Sequence, residues 1–311
     1  MKDLTREILQ LKKEKKAVIL AHNYMIGPVQ DLADFVGDSL GLSQQAAATD
    51  SPIIVFCGVH FMAETASIIS PHKKVLLPSL DAGCSLAATI DGGQLRRWKA
   101  QHPGAAVVSY VNTTAEVKAE SDYCVTSSNA VKVVESIPAD KEILFLPDRF
   151  LGGYVKAMTG RPIHIWNGAC HVHEKIGDLS FADKEKEYPN AEFLIHPECG
   201  CSSSCMLKSA AHFDCKNVHI FSTEGMIRHV EDSDAGEFVV ATEVGILHRL
   251  RKLKPDADFH PMSEKSVCEY MKEITLENLR DALLYERYEV KVPEDIAKRA
   301  RLPIERMLAI V

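Results

Sequence analysis

Trp166-Asn167-Gly168-Ala169-Cys170-His171-Val172-His173 carries the middle member of a series of cysteines. Cys84 stands 86 residues before Cys170, and Cys268 stands 98 residues after it. Three long segments of the chain thus each run to a cysteine. If these segments are copies of one unit, symmetry gathers the three thiols at one point. A chain without a compact cysteine motif can then still build a metal site.

The segments read as copies. In the first, residues 16–21 form a short buried strand ending in His22-Asn23-Tyr24, and an amphipathic helix signal covers 31–36. Gly37-Asp38-Ser39 opens a second helical run through Ala48, and a buried strand at 53–56 leads to Cys57-Gly58. A helix at 61–69 and a strand at 74–78 deliver Asp81-Ala82-Gly83-Cys84. The second segment has a strand at 105–109, a polar exit Tyr110-Val111-Asn112, and Thr126-Ser127-Ser128 opening a helix. Strands at 142–146 and 162–166 complete it before Cys170. The third runs from a strand at 192–195 through His196-Pro197-Glu198, then Phe221-Ser222-Thr223 into a helix, a strand at 238–241, and Cys268.

The offsets agree. His22 to Tyr110 is 88 residues and Tyr110 to His196 is 86; His22 to Ser39 and Tyr110 to Ser127 are both 17. His196 to Thr223 is 27, and one insertion, the cysteine-rich stretch 199–215, accounts for the extra ten. Any α/β chain alternates strands and helices, but chance does not align strand exits, helix starts and terminal cysteines together. The expected fold is α/β, with three similar α/β/α domains that hold short, mainly parallel sheets in a pseudo-threefold arrangement around a central active site. The units span 1–85, 86–172 and 173–268. Residues 269–311 form a helical tail packing across them, with Thr275 as an N-cap and Pro293 at a first helical position.

A chain of 311 residues that is 46% hydrophobic buries a large core. It has no run of eighteen apolar residues, and Met1-Lys2-Asp3-Leu4-Thr5-Arg6-Glu7 has no signal-peptide core, so a cytoplasmic enzyme without membrane partners is expected. A net charge of −7 argues against a nucleic-acid footprint. Nine cysteines without a secretory context are buried thiols, metal ligands or redox thiols.

Ligands of parallel α/β sheets bind beyond the carboxyl ends of the strands. Each unit places polar residues there: His22 and Tyr24, Tyr110 and Asn112, His196 and Glu198. Hydroxyls recur at helix starts, at Ser39, Ser127 and Ser222-Thr223, where they cap helices and accompany N-termini able to bind carboxylate or phosphate. Singly, Cys84, Cys170 and Cys268 each read as small core residues. As a symmetric trio without a fixed fourth ligand they suit a [4Fe–4S] cluster with one open iron acting as a Lewis acid, whereas structural zinc is closed by four protein ligands. The denser group Cys199, Cys201, Cys205 and Cys215 lies in the insertion and reads as a redox or accessory feature. Other readings are an iron–sulfur dehydratase, a zinc-dependent hydrolase on a small anionic substrate, or a non-catalytic scaffold.

Over nearly its whole length the chain resembles the quinolinate synthase family. The resemblance rests on Ala21-His22-Asn23-Tyr24, Asp81-Ala82-Gly83-Cys84-Ser85-Leu86, Tyr110-Val111-Asn112-Thr113, the stretch 166–173, His196-Pro197-Glu198-Cys199, Thr242-Glu243 and the tail 271–276. It implies an oxygen-sensitive [4Fe–4S] enzyme that condenses iminoaspartate (iminosuccinate) with dihydroxyacetone phosphate into quinolinate, phosphate and two waters in NAD biosynthesis. An aspartate oxidase or dehydrogenase would supply the labile iminoaspartate. By motif, Cys84, Cys170 and Cys268 would hold the cluster. His22, Ser39, Tyr110, Val111, Asn112, Ser127, His196, Pro197, Glu198, and Ser222 or Thr223 would meet substrate. Glu198 is expected as the main proton shuttle, assisted by His196, His22 and Tyr24.

Overall fold

A computed structural model describes residues 2–202 and 217–310. Twelve strands form three sheets of four. The first contains β1 (Ala17–His22), β2 (Phe35–Gly37), β3 (Ile53–Cys57) and β4 (Lys74–Leu76), in the order β2-β1-β3-β4. The second contains β5 (Ala106–Tyr110), β6 (Tyr123–Val125), β7 (Ile143–Leu146) and β8 (Ile163–Ile165), ordered β6-β5-β7-β8. The third, of β9 (Glu192–Ile195), β10 (Val218–Ile220), β11 (Glu237–Ala241) and β12 (Asp258–Pro261), has the order β10-β9-β11-β12. Every strand pair is parallel. The chain is α/β with three matching sheets, as expected.

The central strands are near-continuous apolar runs because helices cover both faces of a parallel sheet. All of β3, β5 and β7 is buried. The register repeats as well. Leu20 pairs with Phe35 and Val108 with Tyr123, both fifteen residues apart, while Leu194 pairs with His219, ten residues further. The third unit therefore carries its extra length between β9 and β10. Most of that stretch, including Cys205 and Cys215, lies outside the described residues.

One local reading is corrected. The stretch 31–36, read as amphipathic helix, is instead a turn leading into the edge strand β2, preceded by the short helix Gly27–Gln30. Leu32, Phe35 and Val36 have helical spacing, but the segment is too short to stand alone as a helix, and backbone pairing with β1 wins. The matching edge strands β6 and β10, and the outer strand β12, likewise have no counterpart in the sequence reading.

In the tail, Thr275 caps the helix Leu276–Tyr285 through a capping box with Asn278. Pro293 stands one residue earlier than expected, at the N-cap of the helix Glu294–Ala309. That last helix packs against β6 and against the helices Ala115–Lys118 and His60–Ile69, so it touches elements of the first and second sheets. The helix Leu276–Tyr285 packs on the first helix, Lys2–Glu14. No described helix is long and apolar enough to cross a membrane.

Candidate active site

β1, β5 and β9 deliver their polar exits to one cavity of about 690 Å³ including its mouth. His22, Tyr24, Tyr110, Asn112, His196 and Glu198 line it, with Ser39, Ser127 and Thr223 from the helix starts and Cys84, Cys170 and Cys268 from the loops that close each unit. Val111 and Pro197 are buried but are not part of its wall, and neither is Ser222.

The helix starts show why neighbouring hydroxyls divide. Ser39 and Thr223 are each the first residue of a helix, and the residue before each is the cap: Asp38 accepts from Gly41 N at 2.8 Å and Ser222 from Gly225 N at 3.2 Å. Capping turns Ser222 back onto its own backbone and leaves Thr223 facing the cavity. In the second unit the helix begins later, at Ala130, after a turn in which Asn129 Oδ1 accepts from Thr126 N at 2.8 Å. The three starts are tied together at Ser128, which donates to Asp38 Oδ2 at 2.7 Å and lies 2.9 Å from Ser222 Oγ.

His22 and His196 occupy equivalent positions and make the same local bond. The backbone N–H two residues on donates to Nδ1 of each, from Tyr24 at 3.2 Å and from Glu198 at 3.4 Å. Nδ1 is thereby an acceptor, so the neutral ring carries its proton on Nε2. Burial holds His22 down to about 3, with Lys272 and His173 adding to it, and holds His196 well below the usual imidazole range. At neutral pH both are uncharged Nε2–H donors. Ser127 Oγ lies 3.2 Å from His196 Nε2.

Glu198 is 2% exposed, and Tyr110 OH donates to its Oε1. Burial, reinforced by the nearby Asp148, pushes its carboxyl well above the ordinary range. Tyr24 and Tyr110 are both pushed up by burial and by Glu198, so their phenols stay protonated. His173, not weighed in the sequence reading, completes the group. Its Nδ1 lies 3.5 Å from Glu198 Oε2, and its Nε2 lies 2.9 Å from Thr242 Oγ1 and 3.4 Å from Tyr24 OH. The signal for it was present as the second histidine of the stretch 166–173, three residues past Cys170.

A run of buried polar groups therefore passes beside the cysteines: Tyr110 is hydrogen-bonded to Glu198, His173 approaches Glu198 at 3.5 Å without bonding it, and His173 and Tyr24 share Thr242. Comparison with known proteins gives this arrangement a family. The sequence model described as quinolinate synthetase A protein matches residues 6–309. The chain belongs to the quinolinate synthetase A protein family.

Among its relatives is the quinolinate synthase of Pyrobaculum aerophilum, 53% identical over 304 residues that cover 98% of each chain. The quinolinate synthase of Thermus thermophilus is 53% identical over 307 residues, 99% of this chain and 97% of that protein. That of Mycobacterium tuberculosis is 50% identical over 306 residues, 98% of this chain and 88% of that one. Membership in the quinolinate synthetase A family makes the chain an enzyme, with quinolinate formation for NAD biosynthesis as the family activity. It also implies a metal cofactor.

The donor set fits such a group. Cys84, Cys170 and Cys268 are free thiols, and the other free cysteines among the described residues, Cys57, Cys124, Cys199 and Cys201, do not line the cavity. Burial pushes Cys84 up to about 12 and Cys268 to about 11, and burial together with Glu198 raises Cys170 well above the usual thiol range. Three neutral thiols in an apolar wall form thiolates on binding a metal, which releases their protons. Each cysteine is followed by a residue of a second shared contact: Ser85 Oγ lies 2.6 Å from His171 Nδ1, and His171 Nε2 lies 2.8 Å from Glu269 Oε2. This collar joins the three cysteine loops at the mouth of the site. Glu243, buried beneath it, accepts from Cys268 N at 3.1 Å and pairs with Lys272 at 2.8 Å.

Proposed function

We propose that the enzyme condenses iminoaspartate with dihydroxyacetone phosphate into quinolinate, phosphate and two waters in the cytoplasm, on a [4Fe–4S] cluster held by Cys84, Cys170 and Cys268. The observation that carries this reading is the meeting of three thiols and three polar strand exits in one cavity, each contributed by a different sheet's segment. The units are divided at 85, 172 and 268, with the tail from 269 closing over them. When bound, such a cluster supplies a Lewis-acidic iron without a protein ligand, suited to polarising a carboxylate or hydroxyl oxygen.

The chain's own residues do the rest. The Nε2–H groups of His22 and His196 donate to substrate carboxylate, and the neutral rings do so without a charge penalty in a buried site. Ser39, Ser127, Thr223 and Asn112 add hydrogen bonds. The helix starts at Ser39 and Thr223 bring positive dipole ends to an anionic substrate, which explains recognition by an acidic protein. Ring formation requires proton shifts and two dehydrations. Glu198 Oε1, hydrogen-bonded to Tyr110 OH, holds and returns the proton, since a carboxyl raised by burial exchanges it near neutral pH. His173 stands between Glu198 and Tyr24, 3.5 Å from Glu198 Oε2 and 3.4 Å from Tyr24 OH, so a small shift of its ring would bring the Tyr24 phenol into the same chain. Labile iminoaspartate is supplied by an aspartate oxidase or dehydrogenase.

A second reading has one observation behind it: ligand atoms of Cys170, His173 and Glu198 lie within 4.8 Å of one another and are able to hold a single ion such as zinc. Metal analysis of protein purified without oxygen separates the two. The expected result is about four irons and four sulfides per chain with broad absorption near ~400 nm, lost in Cys170→Ser, and quinolinate formed from the two substrates. Stoichiometric zinc without sulfide, or a colourless protein after anaerobic reconstitution, overturns the cluster.

A further inference from the structure

The strand register defines equivalent positions in the three units, and one set of positions diverges sharply. Two residues before Leu20, Val108 and Leu194 stand Val18, Ala106 and Glu192. The edge-strand partners of Leu20, Val108 and Leu194 are Phe35, Tyr123 and His219. Six residues beyond Ser39, Ser127 and Thr223 stand Gln45, Val133 and His229. At these offsets the first two units hold Val18, Phe35 and Gln45, and Ala106, Tyr123 and Val133. The third carries Glu192, His219 and His229. The first two units place a carboxylate one residue before the edge-strand position, Asp34 and Asp122, each accepting a backbone N–H of the neighbouring strand at 2.8 Å, whereas the third has Val218 there.

The geometry of the third set is that of a cation site. Glu192 Oε2 lies 2.7 Å from His229 Nε2 and 4.0 Å from His219 Nε2, and the three ligand atoms all fall within 4.8 Å of one another. Zinc bonds of about 2.0–2.2 Å in a tetrahedron set ligands about 3.4 Å apart, a spacing that these two separations bracket. A 4.0 Å gap is too long for a hydrogen bond, and His219 Nε2 is a buried atom without a hydrogen-bond partner among the described residues. A buried imidazole nitrogen that faces a carboxylate without bonding it is free to take a ligand. The ligands are supported from outside. Ser233 Oγ donates to Glu192 Oε2 at 3.1 Å, and His219 stacks on Phe221 with ring centroids 5.7 Å apart. The three side chains are 21–26% exposed, which leaves room for water to complete the coordination.

We propose that Glu192, His219 and His229 bind a divalent cation of the zinc class. The two imidazoles and one carboxylate suit a borderline metal and differ in kind from the three thiols of the cavity. The ligands come from the start of β9, from β10 and from the helix Thr223–Asp232, so the ion would cross-link the edge strand that follows the inserted segment to the helix whose first residue faces the active site. The proposal does not depend on the cluster assignment.

The test is zinc titration by calorimetry, with thermal denaturation, on chelator-washed protein purified anaerobically with its iron in place. The parent is expected to take up one zinc per chain, with a raised melting temperature and unchanged iron and sulfide. Cys170→Ser is expected to keep this uptake. Glu192→Gln, which preserves shape, and His219→Ala are each expected to weaken it by about tenfold or more. A parent that binds no zinc, or variants at Glu192 and His219 that titrate like the parent, overturns the site. Loss of the uptake in Cys170→Ser alone assigns the zinc to the cysteines and overturns it as well.

Discussion

Glu198 is the residue on which the site's proton chemistry turns. It is hydrogen-bonded to Tyr110, lies 3.8 Å from His196 Nδ1 and 3.5 Å from His173 Nδ1, whose other nitrogen faces Tyr24. Glu198→Gln keeps the volume and one acceptor but cannot exchange a proton. We expect kcat to fall by about 10²–10⁴ with near-parental iron content, measured as quinolinate formed under anaerobic conditions. An unchanged kcat would remove Glu198 from proton transfer. Ser222 and Thr223 offer a paired test. Ser222→Ala removes an N-cap and is expected to cost about 1 kcal/mol in urea unfolding with KM little changed. Thr223→Ala is expected to raise KM with little loss of stability. Sequence offsets left the two adjacent hydroxyls equivalent. The cap decided between them, because one side chain bonded to its own helix cannot also face substrate.

At the scale of elements, an ion pair holds the first unit to the tail. Glu286, at the C-cap of the helix Leu276–Tyr285, accepts from Lys15 at 2.7 Å and from Lys74 of β4 at 2.5 Å. Those two hydrogen bonds hold its carboxyl down to about 2 from 4.5. A depressed folded-state pKa stabilises above the unfolded value and is lost as pH falls through the folded one. Glu286→Gln is therefore expected to lower the melting temperature at pH 7 slightly, with the gap closing as pH drops from 4.5 towards about 2. A gap independent of pH would show that packing, not charge, matters there. The collar of Ser85, His171 and Glu269 makes a second prediction. His171→Ala breaks both contacts, so amide exchange should quicken in the loops after Cys84 and before Glu269, and exchange in β1, β5 and β9 should not change. Unaltered loop exchange would show that the collar does not hold them.

Over the whole molecule, the last helix does more than cover a surface. Met307 is fully buried, and Asn129 Nδ2 donates to Met307 O at 2.9 Å and Ile310 O at 2.7 Å. The same Asn129 shapes the turn that presents Ser127. Met307→Ala should cost about 2–5 kcal/mol in urea unfolding. Because the helix and the Ser127 turn share Asn129, KM should rise as well. A stability loss without any change in KM would separate the tail from the site.

The sequence by itself determined the α/β class, the threefold repetition and most of the cavity wall. Apolar runs of four to six residues mark central strands, and equal offsets between His22, Tyr110 and His196 mark copies of one unit. These are local or periodic properties, written directly in residue order. The edge strands β2, β6 and β10, three residues each, were decided only by pairing with a neighbour already in place. So was the direction of single side chains: Thr223 inward and Ser222 back to its helix, His173 against Glu198, and His219 towards Glu192. A one-dimensional offset says which positions are equivalent. Which atoms come within bonding distance depends on how the three sheets are packed together, and that is a property of the tertiary structure alone.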